Sequence, residues 1–332
     1  MFEIKFNKKI FRTFWMKFLL SFLATFLVLG GVLLGLYTYV FGSLNVDEDL
    51  TQEEVGIQAQ DYHSKSIVNI ALFGIDTTDS GMEGRSDSII VVTLDHKKKE
   101  VRLSAIERDT YVKIEGHGKD KINHAYAFGG PQLAVKTLNQ NFNLDITDYA
   151  VVNFTNMVKV IDTLGGVRME VPEKYLREVN AMINDYNIRY KTKVPAIQKG
   201  GEQLLQGAQA LCMARVRKSV GGTSVRASMH EIILNACLAR VKEKSILEYP
   251  NIAKTLLSLV QTTLNSGEVT SVAMKVVLSG YTIRQAVFPL QQDWINSGNM
   301  IDGVWYRLYR VEKGNQNIRN FIYEGTLPEG VE

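Results

Sequence analysis

Residues Phe18–Phe41 form an uncharged, apolar run of 24 residues, and nothing else in the chain restricts its fold as strongly. As a helix the run is about 36 Å long, enough to cross a hydrocarbon core of about 30 Å with some tilt. Gly30, Gly31 and Gly35 do not break it, because lipid offers the backbone no competing partner. Lys5, Lys8, Lys9, Arg12 and Lys17 precede the run. Asp47, Glu48, Asp49, Glu53 and Glu54 follow it, and the next lysine is Lys65. The positive-inside rule keeps the basic flank in the cytoplasm and places the rest outside. A cleaved signal peptide would have a shorter apolar core and a small-x-small site, and GSLNVDEDL after the run offers none. The expectation is a cytoplasmic tail 1–17, a transmembrane helix 18–41, a polar stalk 42–65 and one extracytoplasmic domain 66–332. The protein is then single-pass in the cytoplasmic membrane with its N-terminus inside.

Beyond the stalk, strand and helix patterns alternate. Ser66–Asp76, Ser88–Leu94 and Val101–Ile106 are short β-rich apolar runs, and so is Tyr149–Asn153. Pro131–Phe142 reads as a helix with proline in its first turn. Thr155–Leu164 reads as a helix closed by Gly165-Gly166, with strand Val167–Val171 beyond it. Gly201–Met213 reads as a helix, Ala214–Val216 as a short strand and Ser224–Lys244 as a long helix. Helices near 251–265 and 268–278, a strand near Thr282–Phe288 and a last helix near Asn315–Tyr323 complete the pattern. This is an α/β protein with a mixed sheet. Net charge is only +3 for 332 residues, and no DNA-reading motif is present, so no nucleic-acid partner is expected. The two cysteines, Cys212 and Cys237, sit among apolar neighbours and read as small buried hydrophobes, although outside the membrane they could pair.

No GxSxG, GxxxxGK[ST] or HExxH motif occurs, and the five histidines are scattered. Carboxylates and arginines at strand ends remain. Asp76 ends the first strand, Arg85 and Asp87 open the second, and Arg108 and Asp109 follow the third. Arg215 and Arg217 lie two apart, and Arg226 follows near the long helix. Were 214–216 a strand, Arg215 and Arg217 would share a face. Guanidinium forks match phosphate oxygens, and carboxylates beside them suit a hard cation such as Mg²⁺ that also binds phosphate. A network of ion pairs that merely stabilises a sheet edge is the plainer alternative.

The segments FGID (73–76), GRSDSIIVVTLD (84–95), LSAIERDTYVKI (103–114), DKINHAYAFGG (120–130), VVNFTNMVKVIDTLGGVRMEV (151–171) and LLQGAQALCMARVRK (204–218) resemble the LytR-CpsA-Psr family over about 65–245. The C-terminal 85 residues or so add little to the likeness. The resemblance implies an α/β/α sandwich with a mixed central sheet, enclosing an apolar pocket for a lipid tail. It implies a phosphotransferase that moves a glycopolymer, of teichoic acid or capsular polysaccharide type, from a polyprenyl-pyrophosphate carrier to a peptidoglycan sugar hydroxyl. Asp76 and Asp87 match the family's metal-holding positions, with Mg²⁺, or Mn²⁺ in its place, as cofactor. Arg85, Arg108, Arg215, Arg217 and Arg226 match its phosphate-binding arginines, and Lys121 is a further candidate. Asp109 would orient or deprotonate the acceptor hydroxyl, or serve the structure alone. His124 and Tyr126 would pack near the site.

The chain departs from the family pattern beside this site. Glu107 stands where proline usually precedes Arg-Asp, and Thr223 replaces an acidic residue. Met229 and His230 replace an Arg-Gln pair, and Cys212 and Met213 replace the usual residues before ARVR. His230 lies one helical turn after Arg226 and would donate to phosphate in place of an amide. The core acids and arginines survive, so the expectation is a working but divergent enzyme; the departures at Thr223, Met229 and His230 motivate the alternative class, a non-catalytic membrane protein that binds polyprenyl phosphates.

Overall fold

The computed structural model describes residues 45–57, 66–75, 77, 83–216, most of 232–265, 268, 280–296 and 299–329. The apolar run 18–41 lies outside them, and among the described residues no helix is long and apolar enough to cross a membrane. In chain order the elements are β1 (Asn45–Val46), β2 (Ile67–Ile75), β3 (Ser86–Asp95), β4 (Glu100–Ile106), β5 (Tyr111–Ile114), β6 (Gly118–Lys121), α1 (His124–Phe142) and β7 (Asp148–Asn153). Then come α2 (Phe154–Thr163), β8 (Val167–Val171), α3 (Leu176–Tyr190), β9 (Gly201–Leu205), α4 (Gly207–Ala214), α5 (Tyr249–Leu257) and β10 (Gln261–Thr262). Last are β11 (Thr282–Phe288), β12 (Asn299–Ile301), β13 (Val304–Tyr306) and α6 (Val311–Arg319).

Seven strands form one mixed sheet in the order β1-β10-β7-β2-β3-β4-β11. β2, β3 and β4 run antiparallel, whereas β7 joins β2 and β11 joins β4 in parallel. Strand alternation sends side chains to both faces. From β2, Ala71, Phe73 and Ile75 enter a core with Val135, Leu138 and Phe142 of α1 and Ile318 of α6. Ile70 belongs to a second cluster with Leu94 and Leu103, and Leu72 packs against it. A third cluster joins α2, α3, α4 and the antiparallel pair β8–β9. Because both faces are covered, the central strands are almost continuously apolar.

Several sequence expectations change. Residues 45–57 are not stalk. Asn45-Val46 pairs with Gln261-Thr262 at the sheet edge, Val55 is fully buried, and Asn139 Nδ2 donates to the Val55 carbonyl at 2.9 Å. Gly201–Leu205 is a strand rather than the start of a helix, because it pairs antiparallel with Val167–Val171. α4 begins only at Gly207, where the Gln206 amide donates to Gln209 Oε1 at 3.0 Å. Ala214–Val216 is no strand. Arg215 and Val216 turn back onto the end of α4 through hydrogen bonds from their amides to the carbonyls of Cys212 and Met213. Arg215 thus closes a helix and does not lie in a strand, and Arg217 lies outside the described residues.

α1 starts at His124, about two turns before Pro131, and is broken at Gly129-Gly130, with Gly130 at φ 63°. The expected helix 251–265 ends at Leu257, since Gln261-Thr262 are drawn into the sheet by Ala150 and Val151. The last helix starts at Val311 and ends in a π turn at Asn320–Glu324. Most of the expected helix 268–278 and the first part of 224–244 lie outside the described residues.

Candidate functional site

β3 and β4 are joined by a tight turn, so the ends of β2, β3 and β4 that carry the charged residues meet at one rim of the sheet. Asp87 is the second residue of β3, and exposed Arg85 stands just ahead of it. Arg108 leaves the end of β4 and turns back, placing Nη1 2.5 Å from Asp87 Oδ1. Its Nε approaches Asp109 Oδ2 at 3.5 Å, and Asp109 Oδ1 takes Lys121 Nζ at 2.6 Å. A relay Asp87–Arg108–Asp109–Lys121 thus runs from β3 across the loop to the end of β6. Lys121 also sits 5.8 Å from the centre of the Tyr306 ring.

Three buried polar atoms in this corner, Ser86 Oγ, Arg108 Nε and Asn123 Oδ1, have no hydrogen-bond partner among the described residues. Orphans of this kind are rare in a structural scaffold and suit a place where a ligand or water completes the bonding. Behind Lys121, His124 Nδ1 lies 2.7 Å from Asp120 Oδ2. Burial acts to raise the Asp120 pKa, but the His124 hydrogen bond, the Lys121 amide and the His124 charge together hold it below the usual carboxylate range. Tyr126 is buried against Phe73, a residue of the cavity described below, with its hydroxyl pKa pushed up to about 12 by burial.

The same rim opens on a cavity of about 250 Å³ between the sheet and the helical layer. Leu72, Ile90, Ala150 and Val152 form its floor, and Met157, Val160, Leu211, Ala214 and Ile233 close it. Asp87, Asn153 and Arg215 are the polar residues at its wall, besides Ser88 and Cys237. Gly74 lets β2 and β3 approach, since a Cβ there would stand 2.9 Å from Ser88 Cβ. Arg215 reaches the cavity from the end of α4, its guanidinium 4.8 Å from the Phe154 ring centre. Asn153 caps α2 by accepting from the Asn156 amide at 2.8 Å. Cys212 and Cys237 are free and buried, and burial pushes their thiol pKa values up to about 11 and about 12.

Of the residues singled out from sequence, the structure therefore brings together Asp87, Arg108, Asp109 and Lys121, with Arg215 on the same cavity as Asp87. Asp76, Arg217, Arg226 and His230 lie outside the described residues. Among the described residues no three His, Cys, Asp or Glu side chains cluster as a metal cage. A Mg²⁺ held by one or two carboxylates and completed by phosphate oxygens needs no cage, so the Asp87 carboxylate beside phosphate-matching arginines fits such an ion. Sequence reasoning missed Asn153, whose signal is an Asn immediately before a helix, where its side chain can accept from the amide three residues on. It also missed the partner of Glu107, since Arg307 lies 200 residues away.

The LytR_cpsA_psr family profile matches residues 36–319. The chain belongs to the LytR_cpsA_psr family. A curated member from Oceanobacillus iheyensis, the polyisoprenyl-teichoic acid–peptidoglycan teichoic acid transferase TagU, is 31% identical over 264 residues, which are 77% of this chain and 75% of that one. The TagU of Enterococcus faecalis is 30% identical over 298 residues, covering 85% and 91%. A solved structure of TagT bound to LIIa-WTA superposes with a TM-score of 0.62 at 25% identity, covering 81% of this chain and 96% of that one. The mixed sheet of this LytR_cpsA_psr protein is thus the fold of its relatives, and its C-terminal strands fall within the matched region.

Proposed function

We propose that the protein is a phosphotransferase that moves a teichoic-acid-type or related glycopolymer from a polyprenyl-pyrophosphate carrier to a peptidoglycan sugar hydroxyl. One observation carries the reading: the Asp87–Arg108 pair stands at the rim of an apolar cavity that Asp87 itself lines. That is the shape of a ligand with an apolar tail and a diphosphate head. The names of the two TagU relatives support the same reaction.

The acceptor oxygen attacks the glycan-linked phosphorus, the bond to the carrier's phosphate breaks, and polyprenyl phosphate leaves with the electron pair while the hydroxyl proton passes to solvent. Such a reaction needs positioning and charge neutralisation more than covalent help. Arg108, whose Nε makes no full hydrogen bond with the Asp109 carboxylate 3.5 Å away, offers its guanidinium to a phosphate oxygen, and Arg85, Arg215 and Lys121 add positive charge. Asp109, engaged by Lys121 and Arg108, serves to hold those cations rather than to take a proton. Asp87, with Asp76, would hold a Mg²⁺ that supplies charge neutralisation for the diphosphate and for the leaving polyprenyl phosphate. Residues 18–41 anchor the protein in the cytoplasmic membrane, with the domain outside, where both lipid carrier and peptidoglycan are found.

The test uses the full chain in detergent with Mg²⁺, a polyprenyl-pyrophosphate-linked saccharide and a peptidoglycan fragment. A phosphodiester product with one polyprenyl phosphate released per transfer is expected. Tight binding of the donor with neither product would replace transfer by simple lipid binding.

A further inference from the structure

We infer that Glu107 and Arg307 form a buried clamp that positions Arg108 and Asp109, making the segment 288–310 a working part of the phosphate site. The inference rests on the phosphate-site reading above. Glu107 is fully buried, and Arg307 Nε donates to its Oε2 at 2.7 Å. The Arg307 guanidinium lies 3.5 Å from the Trp294 ring centre and 5.0 Å from that of Trp305. Indole faces attract a guanidinium and keep water from the pair. A buried carboxylate is tolerated only when paired, so the position of Glu107 is fixed by Arg307.

The backbone is held in the same way. The Glu107 amide donates to the Phe288 carbonyl at 2.8 Å, the Arg307 amide to the Asp109 carbonyl at 2.8 Å, and the Tyr111 amide to the Arg307 carbonyl at 3.0 Å. Thr110 Oγ1 closes the turn on the Glu107 carbonyl at 2.6 Å. The loop 107–111 is therefore fastened on its inner side by C-terminal residues, while Arg108 and Asp109 point the other way, to Asp87 and Lys121. A one-residue step from an immobile Glu107 leaves Arg108 little freedom, and a guanidinium fork selects a diphosphate only when its direction is set. Glu107 and Arg307 are positioning residues and do not touch substrate.

The full chain in detergent with Mg²⁺ is titrated calorimetrically with farnesyl pyrophosphate and, separately, with farnesol. Wild type is expected to prefer the pyrophosphate. Glu107→Gln and Arg307→Met should each weaken farnesyl pyrophosphate at least tenfold and farnesol less than twofold. The double variant should lose no more than the worse single one, because both break one device. Should a single variant fail to fold, the double, which leaves no unpaired buried charge, carries the test. Unchanged pyrophosphate affinity in folded variants overturns the clamp, and so does a parallel loss of both ligands, which would mean general support of the fold. A wild type that does not distinguish the two ligands removes the phosphate site itself and the clamp with it.

Discussion

Lys121 Nζ lies 2.6 Å from Asp109 Oδ1, which fastens the end of the β5–β6 hairpin to the loop that carries Arg108. The same carboxylate faces Arg108 Nε through its other oxygen, so two cations from different elements share one anion that is itself almost buried. Removing Lys121 leaves Arg108 as the remaining partner. Lys121→Met is expected to lower turnover about 10–100-fold while leaving most of the fold intact. Steady-state kinetics beside a thermal melt checks this. Turnover equal to wild type would take Lys121 out of the site.

Asp87 and Arg108 are each about one-fifth exposed, with side-chain values of 19% and 20%. The pair is mostly buried, so its loss also costs some stability, and both residues are aimed at the proposed diphosphate. Asp87→Ala and Arg108→Ala should each reduce transfer by about 100-fold or more in protein that a thermal melt shows still folded at the assay temperature. Equal turnover in both would remove them from the mechanism.

The cavity wall offers a separate handle on the lipid. Met157 is half-buried and lines the cavity opposite Ala150. Met157→Trp displaces a few methylenes of a bound chain, each worth about 0.8 kcal/mol. Loss of two predicts an affinity for long prenyl pyrophosphates lower by about tenfold, measured by calorimetry. Retained affinity would show that the chain lies elsewhere.

Gly207 opens α4 against α2. A Cβ there would stand 2.3 Å from the Val158 carbonyl oxygen, which is backbone and cannot swing aside. Gly207→Ala must push α4 outward, at a cost of about 1–3 kcal/mol, and carries Arg215 with it. A lowered unfolding midpoint in urea together with weaker donor binding is the expected result.

Asp95 lies within a buried network in which Arg102 donates to it at 2.7 Å and to the Ile322 carbonyl at 2.7 Å. Burial acts to raise its pKa, but the Lys98 amide, Arg102 and the Lys97 amide outweigh burial and hold it low. Because the folded value lies below the unfolded one, near 3.9, the unfolded chain binds more protons there. The contribution is complete above that value and is lost as pH falls through the folded pKa. Melting temperatures between pH 5 and 2 should fall more steeply in wild type than in Asp95→Asn. Equal slopes would count against it.

The apolar runs of β2, β3, β4 and β7 were legible because burial on both faces makes a strand continuously hydrophobic, a local property of composition. Asp87, Arg108 and Asp109 were legible for the same reason, since a charge directly after such a run must stand at a strand end. Gly201–Leu205 was misread because GEQLL carries almost no strand signal of its own, and pairing with Val167–Val171 decided it. Asn45-Val46 and Gln261-Thr262 were misread likewise, each a two-residue strand that exists only because it has a neighbour.

By itself the sequence determined which segments are apolar, where charge stands beside them, and that the family's motifs occur in order. Only the tertiary structure decided that Glu107 meets Arg307, that Arg215 ends a helix rather than lying in a strand, and that Asp87 and Arg215 share one cavity. Local patterns are written by nearest neighbours along the chain. A contact between residues 200 apart depends on the closure of the whole sheet, and no short stretch of residues records it.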